Sequence, residues 1–100
     1  MKVTFKKRPK ETGLRAVGYP YQNVDIKLGG KVFGLINAPT WQTKDNFWRV
    51  SFAAKAVEEN KDWRWATFVP LFENEELARE WVIANVDRLA EKYQFHFFDN

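Results

Sequence analysis

Apolar and polar residues alternate in several short stretches before residue 70. The alternation is clear over residues 24–28, 47–54 and 63–69, and a shorter stretch covers residues 3–5. A period of two is typical of a β-strand that buries one face. The stretches follow one another with short connections, so the sequence predicts a single antiparallel sheet of about four to five strands in a β-meander.

Two adjacent glycines, Gly29 and Gly30, predict a tight hairpin turn, because both residues tolerate the positive φ that such turns need. The turn sets a register for the strands on either side, and in that register Ile36 lies on the face away from the core. The predicted pairs on the core face are Leu28 with Lys31, Ile26 with Phe33, and Val24 with Leu35.

After Pro70, the pattern changes to the three- and four-residue spacing of an amphipathic helix. Asn74 is a good N-cap, and the helix is predicted from about Asn74 to about Tyr93. Its apolar stripe comprises Leu77, Ala78, Trp81, Val82, Val86, Leu89, Ala90 and Tyr93. The fold class predicted is α+β, with this one long C-terminal helix packed on one face of the sheet. The core on the sheet side is then Val24, Ile26, Phe33, Leu35, Val50 and Phe52.

The chain has 100 residues, of which 45% are hydrophobic and 17% aromatic, so residues 1–100 are expected to form a single domain. It contains no cysteine, which excludes a disulfide scaffold, thiolate zinc sites and cysteine nucleophiles. No apolar run reaches the length of a membrane span, and the first residues lack the apolar region of a secretory signal. A cytoplasmic protein without membrane association is therefore expected.

Few residues suited to catalysis are present. His96 is the single histidine and Ser51 the single serine, so a Ser-His-Asp arrangement is not expected. No group of His, Asp and Glu has the spacing of metal ligands. The sequence therefore predicts a protein that is not an enzyme and carries no cofactor or metal. An enzyme that works by electrostatics or with help from its substrate stays open as an alternative.

Charge is unevenly distributed along the chain. Residues 1–55 hold eleven Lys and Arg against three Asp and Glu, a net charge of +8, whereas residues 56–100 hold five against ten, a net charge of −5. A basic loop is predicted at residues 6–13. Such asymmetry indicates a dipolar surface whose basic end meets a polyanion, although small domains also carry uneven charge for solubility alone.

The predicted nucleic-acid-binding residues combine this basic loop with the sheet face turned away from the helix. They are Lys6, Lys7, Arg8, Lys27, Arg49 and Arg64. On that face, Phe47 and Phe68 are expected to lie among the cations. Arginine interleaved with aromatic side chains suits phosphate contact and base stacking, and either single-stranded or duplex nucleic acid would fit. The alternatives are an ordinary amphipathic surface or a face covered by the N-terminal segment.

Binding of a partner protein is the second hypothesis. Trp41, in a polar loop, is a candidate hot spot, together with Phe47 and Phe68. The aromatic tail, residues 95–100, either folds back on the sheet as an extra strand or offers a dimer surface. The protein would then be a monomer, or a homodimer formed through an exposed edge strand.

The start of the helix resembles the arm-type DNA-binding domains of tyrosine integrases. The matching positions are Phe72, Glu76, Ala78 and Trp81. The resemblance implies a sheet that reads the DNA major groove, with the helix packed behind it. The size, the absence of cysteine and the many tryptophans are also similar to small phage and prophage accessory proteins, which implies binding to a host protein. The function predicted is nucleic-acid binding through a basic and aromatic sheet face, and the alternative is a protein-interaction module.

Overall fold

The computed structural model describes residues 1–9, 21–40, 42–58 and 61–99. Within these ranges the chain forms six strands and one helix: β1 (Thr4–Lys7), β2 (Val24–Leu28), β3 (Lys31–Asn37), β4 (Trp48–Ala56), β5 (Arg64–Phe72), α1 (Glu75–Lys92) and β6 (Tyr93–Phe95). The predicted α+β class, with one antiparallel sheet and one C-terminal helix, is confirmed.

The first five strands lie side by side in chain order, each antiparallel to the next. Of the predicted basic loop at 6–13, Lys6 and Lys7 belong to β1, and residues 10–13 lie outside the described ranges. The predicted count of four to five strands was wrong, because β6 adds a further strand beside β4. This strand begins at Tyr93, which the three- and four-residue spacing assigns to the end of the helix.

The aromatic tail folds back on the sheet. Phe95 lies opposite Ala54 in the β4–β6 pairing. Beyond it, the His96 N–H donates to the Ala53 carbonyl at 2.7 Å, and the Phe98 N–H donates to the Val32 carbonyl at 2.8 Å. Of the two alternatives for the tail, the structure has the extra strand rather than a free surface.

The hairpin turn at Gly29 and Gly30 is present, with φ values of 59° and 81°. Leu28 faces Lys31 as predicted, but a β-bulge follows between Ile26 and Lys27. Beyond the bulge the register is shifted by one residue. The predicted pairs Ile26–Phe33 and Val24–Leu35 were therefore wrong. The observed pairs are Ile26 with Gly34, Asp25 with Leu35, and Val24 with Ile36.

Gly34 provides the physical reason for this shift. A Cβ atom at this position would lie 2.6 Å from Cδ1 of Phe52, so only glycine lets the Phe52 ring pack there. The extra residue of the bulge, Phe33, is fully buried and its ring stacks on Phe52 at 5.6 Å. Ile36 is in the core and Leu35 is half-buried outside it, so the predicted core position of Leu35 was wrong.

Helix α1 begins and ends within a residue of the prediction. The side chain of Asn74 caps it, since Oδ1 accepts a hydrogen bond of 2.8 Å from the Leu77 N–H. Glu75 and Glu76 lie in the first turn, at the positive end of the helix dipole. The buried residues of the helix are Ala78, Val82, Val86 and Leu89. Leu77, which the spacing places in the apolar stripe, is exposed.

The core lies between α1 and one face of the sheet. Its members from the sheet include Val24, Ile26, Phe33, Ile36, Trp48, Val50, Phe52, Ala54 and Phe72. Phe95 and Phe97 pack against this core from the tail, each with its ring centroid 5.0 Å from that of Phe33. We call the opposite side of the sheet the outer face.

Candidate nucleic-acid interface

The strand registers identify the residues of the outer face, because cross-strand partners share one face of a sheet. Lys6 lies opposite Asp25 and Asp25 opposite Leu35, while Ser51 lies opposite Thr67. The outer face includes Lys6, Asp25, Lys27, Val32, Leu35, Arg49, Ser51, Trp65 and Thr67. Of the residues that the sequence predicts for the site, it carries Lys6, Lys27 and Arg49, but not Lys7, Arg64 or Phe68.

The predicted basic run is divided between the two faces of the sheet. Lys6 lies on the outer face, as does Lys27 from β2, and neither has an ion-pair partner among the residues that the structure describes. Lys7 lies on the helix side, where its Nζ is 3.8 Å from Oε1 of Glu75. Alternation along β1 causes this division, because consecutive strand residues point to opposite faces.

Arg8 directly follows β1 and pairs with an acid of the outer face. Its Nε donates to Oδ1 of Asp25 at 2.6 Å. The Arg8 backbone is held as well, since its N–H donates to the Asn23 carbonyl at 2.8 Å and its carbonyl accepts from Nε2 of Gln22. The Arg8 side chain is 46% exposed, so the guanidinium is fixed in place and still in contact with solvent.

Arg49 is on the outer face, and its guanidinium makes a fork-shaped ion pair with Asp45. The Nη2–Oδ2 distance is 2.7 Å and the Nη1–Oδ1 distance is 3.2 Å. These hydrogen bonds lower the pKa of Asp45 below its ordinary value of 3.8, and the same pairing raises the pKa of Arg49. A phosphate would have to compete with this carboxylate for the guanidinium.

Arg64 and Phe68 do not lie on the outer face, so their predicted placement was wrong. Arg64 pairs with Ala54 and Phe68 pairs with Val50, both on the helix side of the sheet. The Phe68 ring contacts that of Phe52 at 5.7 Å. Either face of β5 offers apolar residues, and the register with β4 decides which one is turned inward.

The two other predicted partner-binding residues lie in the connection between β3 and β4. Phe47 is exposed, and its backbone N–H donates to Oδ1 of Asp45 at 3.0 Å. It precedes β4 and is therefore not part of the sheet. Trp41 lies outside the described residues.

Four aromatic side chains, two at the start of β5 and two from the tail, form a cluster on the outer face that the sequence did not predict. We call Trp63, Trp65, His96 and Phe98 the aromatic cluster. The ring planes of Trp65 and Phe98 are 9° apart with centroids at 5.7 Å, and those of Trp63 and His96 are 11° apart at 4.6 Å. In the sequence, the only sign of this cluster is that Trp63 and Trp65, and likewise His96 and Phe98, are two residues apart. The two pairs come together only because the tail folds back on the sheet.

A cavity of about 580 Å³ opens on the outer face beside this cluster. We call it the outer cavity; it is lined by Arg8, Pro9, Asp25, Val32, Trp65, Phe98 and Asp99. Its volume is in the range of small-molecule sites. Asp99 pairs with Lys31 at 2.9 Å, and this contact lowers the pKa of Asp99. The outer cavity therefore combines one aromatic wall with charged groups of both signs.

A cavity of about 310 Å³, lined mostly by residues with polar side chains, lies near Arg49 and Ser51. The Ser51 hydroxyl is engaged, because it accepts from Nδ2 of Asn37 at 2.9 Å and shares a hydrogen bond of 3.0 Å with Oγ1 of Thr67. These contacts hold the strands together. Within the described part of the chain, no three His, Asp or Glu side chains are grouped as they would be around a metal ion.

The positions that carry the integrase resemblance form the junction of β5 and α1. The rings of Phe72 and Trp81 lie 5.9 Å apart, Ala78 is buried beside them in the core, and Glu76 is exposed. The chain matches no family model, and the searches of curated proteins and of solved structures found no match. The resemblance therefore stays a prediction. Among the described residues, no helix is both long and apolar enough to cross a membrane.

Proposed function

We propose that the protein binds single-stranded nucleic acid on its outer face. The observation that carries this proposal is Trp65, which is 43% exposed on the outer face and stacked parallel to Phe98. Lys6 and Lys27 supply cations on the same face, and Arg8 lies at the edge of the outer cavity. Exposed aromatic rings beside lysine and arginine suit the stacking of bases and the neutralisation of phosphates.

The form of the outer face favours a single strand over a duplex. Trp65 and Phe98 line the outer cavity, and stacking on them requires a base that is not already stacked within a duplex. An unpaired base offers its π-face to the rings, whereas a paired base is stacked within the duplex. Only an unpaired base can therefore stack on the aromatic wall of the outer cavity.

The charges on the other side of the molecule support this orientation. The exposed side of α1 carries four acids, Glu76, Glu80, Asp87 and Glu91, against two bases, Arg88 and Lys92. A polyanion is repelled from that side and attracted to the outer face, where Lys6 and Lys27 lie. The difference in charge between the two halves of the sequence thus corresponds to a difference between the outer face and the exposed side of α1.

The test is the anisotropy of a labelled single strand of about eight nucleotides, a length typical of small binding sites. We expect Trp65→Ala to weaken binding at least about fivefold, in line with the loss of one base stack. Leu71→Ala is the matched control, because Leu71 is 47% exposed on the same strand and is not aromatic. Unchanged affinity of Trp65→Ala, or absence of binding at low salt, would contradict the proposal.

A second candidate function is favoured by the position of β5. This strand is the last in the sheet order, and among the described residues no strand pairs with its outer edge. Trp65 and Leu71 are exposed along it, so an added strand from a protein partner or a second copy would cover apolar surface. Light scattering separates the two candidates: a dimer that Leu71→Arg dissociates would support the edge, and a monomer would exclude self-pairing.

A further inference from the structure

The hydrogen-bonding groups of the outer cavity restrict which base fits it, if the proposed function holds. Asp25, Asp99 and Arg8 line this cavity together with Trp65. Carboxylates accept hydrogen bonds and guanidinium groups donate them. A base that enters the cavity would therefore present donors to Asp25 and acceptors to Arg8.

We propose that the outer cavity selects guanine over the other bases. Guanine carries two N–H donors, at N1 and the exocyclic N2, directly followed around its edge by the acceptors O6 and N7. Asp25 would accept from the two donors while Arg8 donates to the two acceptors. Adenine and cytosine place a bare ring nitrogen beside their amine, and thymine and uracil place carbonyls on both sides of one N–H. Each of these bases would turn an acceptor toward a carboxylate.

The positions of Arg8 and Asp25 match the order of groups along guanine. The two side chains are joined by a 2.6 Å hydrogen bond, so donor and acceptor groups lie next to each other as the base requires. The contact uses Nε of Arg8 and Oδ1 of Asp25, and among the described residues no other side-chain hydrogen bond engages either group. The Asp25 side chain is only 15% exposed, which strengthens a charge-assisted hydrogen bond there.

Asp99 contributes less to this selection. Its side chain is 86% exposed, and its carboxylate pairs with Lys31 at 2.9 Å. This exposure to solvent weakens a contact between Asp99 and a base. Asp25 is therefore the residue on which selection depends, with Arg8 as its donor partner.

The first experiment changes only the nucleic acid. Oligothymidylate of about eight nucleotides is compared with the same strand carrying one central guanine, adenine or cytosine. We expect the guanine strand to bind about tenfold tighter, the effect of one good bidentate contact. Inosine at that position, which lacks the exocyclic amine, should lose most of the gain, and 7-deazaguanine, which lacks the N7 acceptor, should lose part of it.

The second experiment changes the protein. Asp25→Asn should abolish the guanine preference while oligothymidylate still binds, and circular dichroism checks that the variant is folded. Glu80→Gln, which removes one carboxylate from the exposed side of α1, should keep the preference. Equal binding of all four strands to the wild-type protein, or a preference that persists in Asp25→Asn, would overturn guanine selection but leave the proposed function. Absence of binding to every strand at low salt would overturn both.

Discussion

At the scale of single residues, Gly34 decides how the core is packed. Because it has no side chain, the Phe52 ring lies over its backbone, and Phe33 and Ile36 then both enter the core. A residue with a Cβ atom would force the ring, the strand or both to move. The position tolerates little change because protein interiors are packed as densely as organic crystals.

Gly34→Ala is expected to lower the free energy of unfolding by about 1–3 kcal/mol, the usual cost of overpacking a core. Chemical denaturation measures this change in the free energy of unfolding. Combining Gly34→Ala with Phe52→Leu, which shortens the opposing side chain, should cost less than the sum of the two single changes. If the losses of unfolding free energy in the two single variants simply add, the 2.6 Å distance between a Cβ atom at position 34 and Cδ1 of Phe52 does not limit the packing.

The Asp45–Arg49 pair fixes the loop that enters β4. The carboxylate binds the guanidinium at two points and also accepts from the Phe47 N–H. These contacts favour the ionised form, which is why the pKa of Asp45 is lowered from 3.8. The stabilisation is therefore present above this ordinary pKa and is lost as the pH falls through the lower pKa of the folded state.

Asp45→Asn should lower the melting temperature near neutral pH, and the difference from the wild type should vanish at a pH below the folded-state pKa of Asp45. Thermal unfolding across this acid range is the measurement. Glu73→Gln, which removes an exposed carboxylate, serves as the control for net charge. A difference between wild type and Asp45→Asn that is independent of pH would contradict the assigned ionic contact.

At the scale of elements, β6 and the residues after it close one end of the core. Phe95 contacts both Phe33 and Phe52, with ring centroids 5.0 and 5.2 Å apart. The same segment turns His96 and Phe98 to the outer face, where they complete the aromatic cluster. One short strand therefore links the stability of the core to the shape of the candidate site.

Phe95→Ala should cost about 3 kcal/mol of unfolding free energy, the lower end for a buried phenylalanine, because this ring is partly exposed. Gln94→Ala, at the exposed neighbouring position of the same strand, is the matched control. Urea denaturation compares the two. Equal stability of the variants would mean that the tail does not pack on the core.

At the scale of the whole molecule, the two sides of the sheet differ in charge. The outer face carries Lys6 and Lys27, whereas the exposed side of α1 carries mostly acids. Two arginines are neutralised by ion pairs, Arg8 with Asp25 and Arg49 with Asp45. Phosphate contacts would therefore depend most on the two lysines.

Lys27→Gln should weaken binding of a single strand and reduce the slope of log K against log salt by about 0.7, the value for one phosphate contact. Titrations between about 50 and 200 mM salt measure that slope. Arg88→Gln removes the same charge from α1, and we expect it to leave the slope unchanged. Equal slopes for both variants would contradict the assignment of Lys27 to the binding face.

The elements that could be predicted from the sequence are those whose signals lie in neighbouring residues. The Gly29–Gly30 turn and the helix that begins after Asn74 both follow from residues close together in the chain. The α+β class follows from the order of these elements.

Which side chains share a face of the sheet depends instead on the packing of the whole chain. A one-residue bulge moves Ile36 into the core and Leu35 out of it, and the β4–β5 register turns Trp65 to the outer face and Phe68 inward. The tail adds His96 and Phe98 to that face. These placements depend on contacts between distant parts of the chain, and with a period of two, a shift of a single residue exchanges inside and outside.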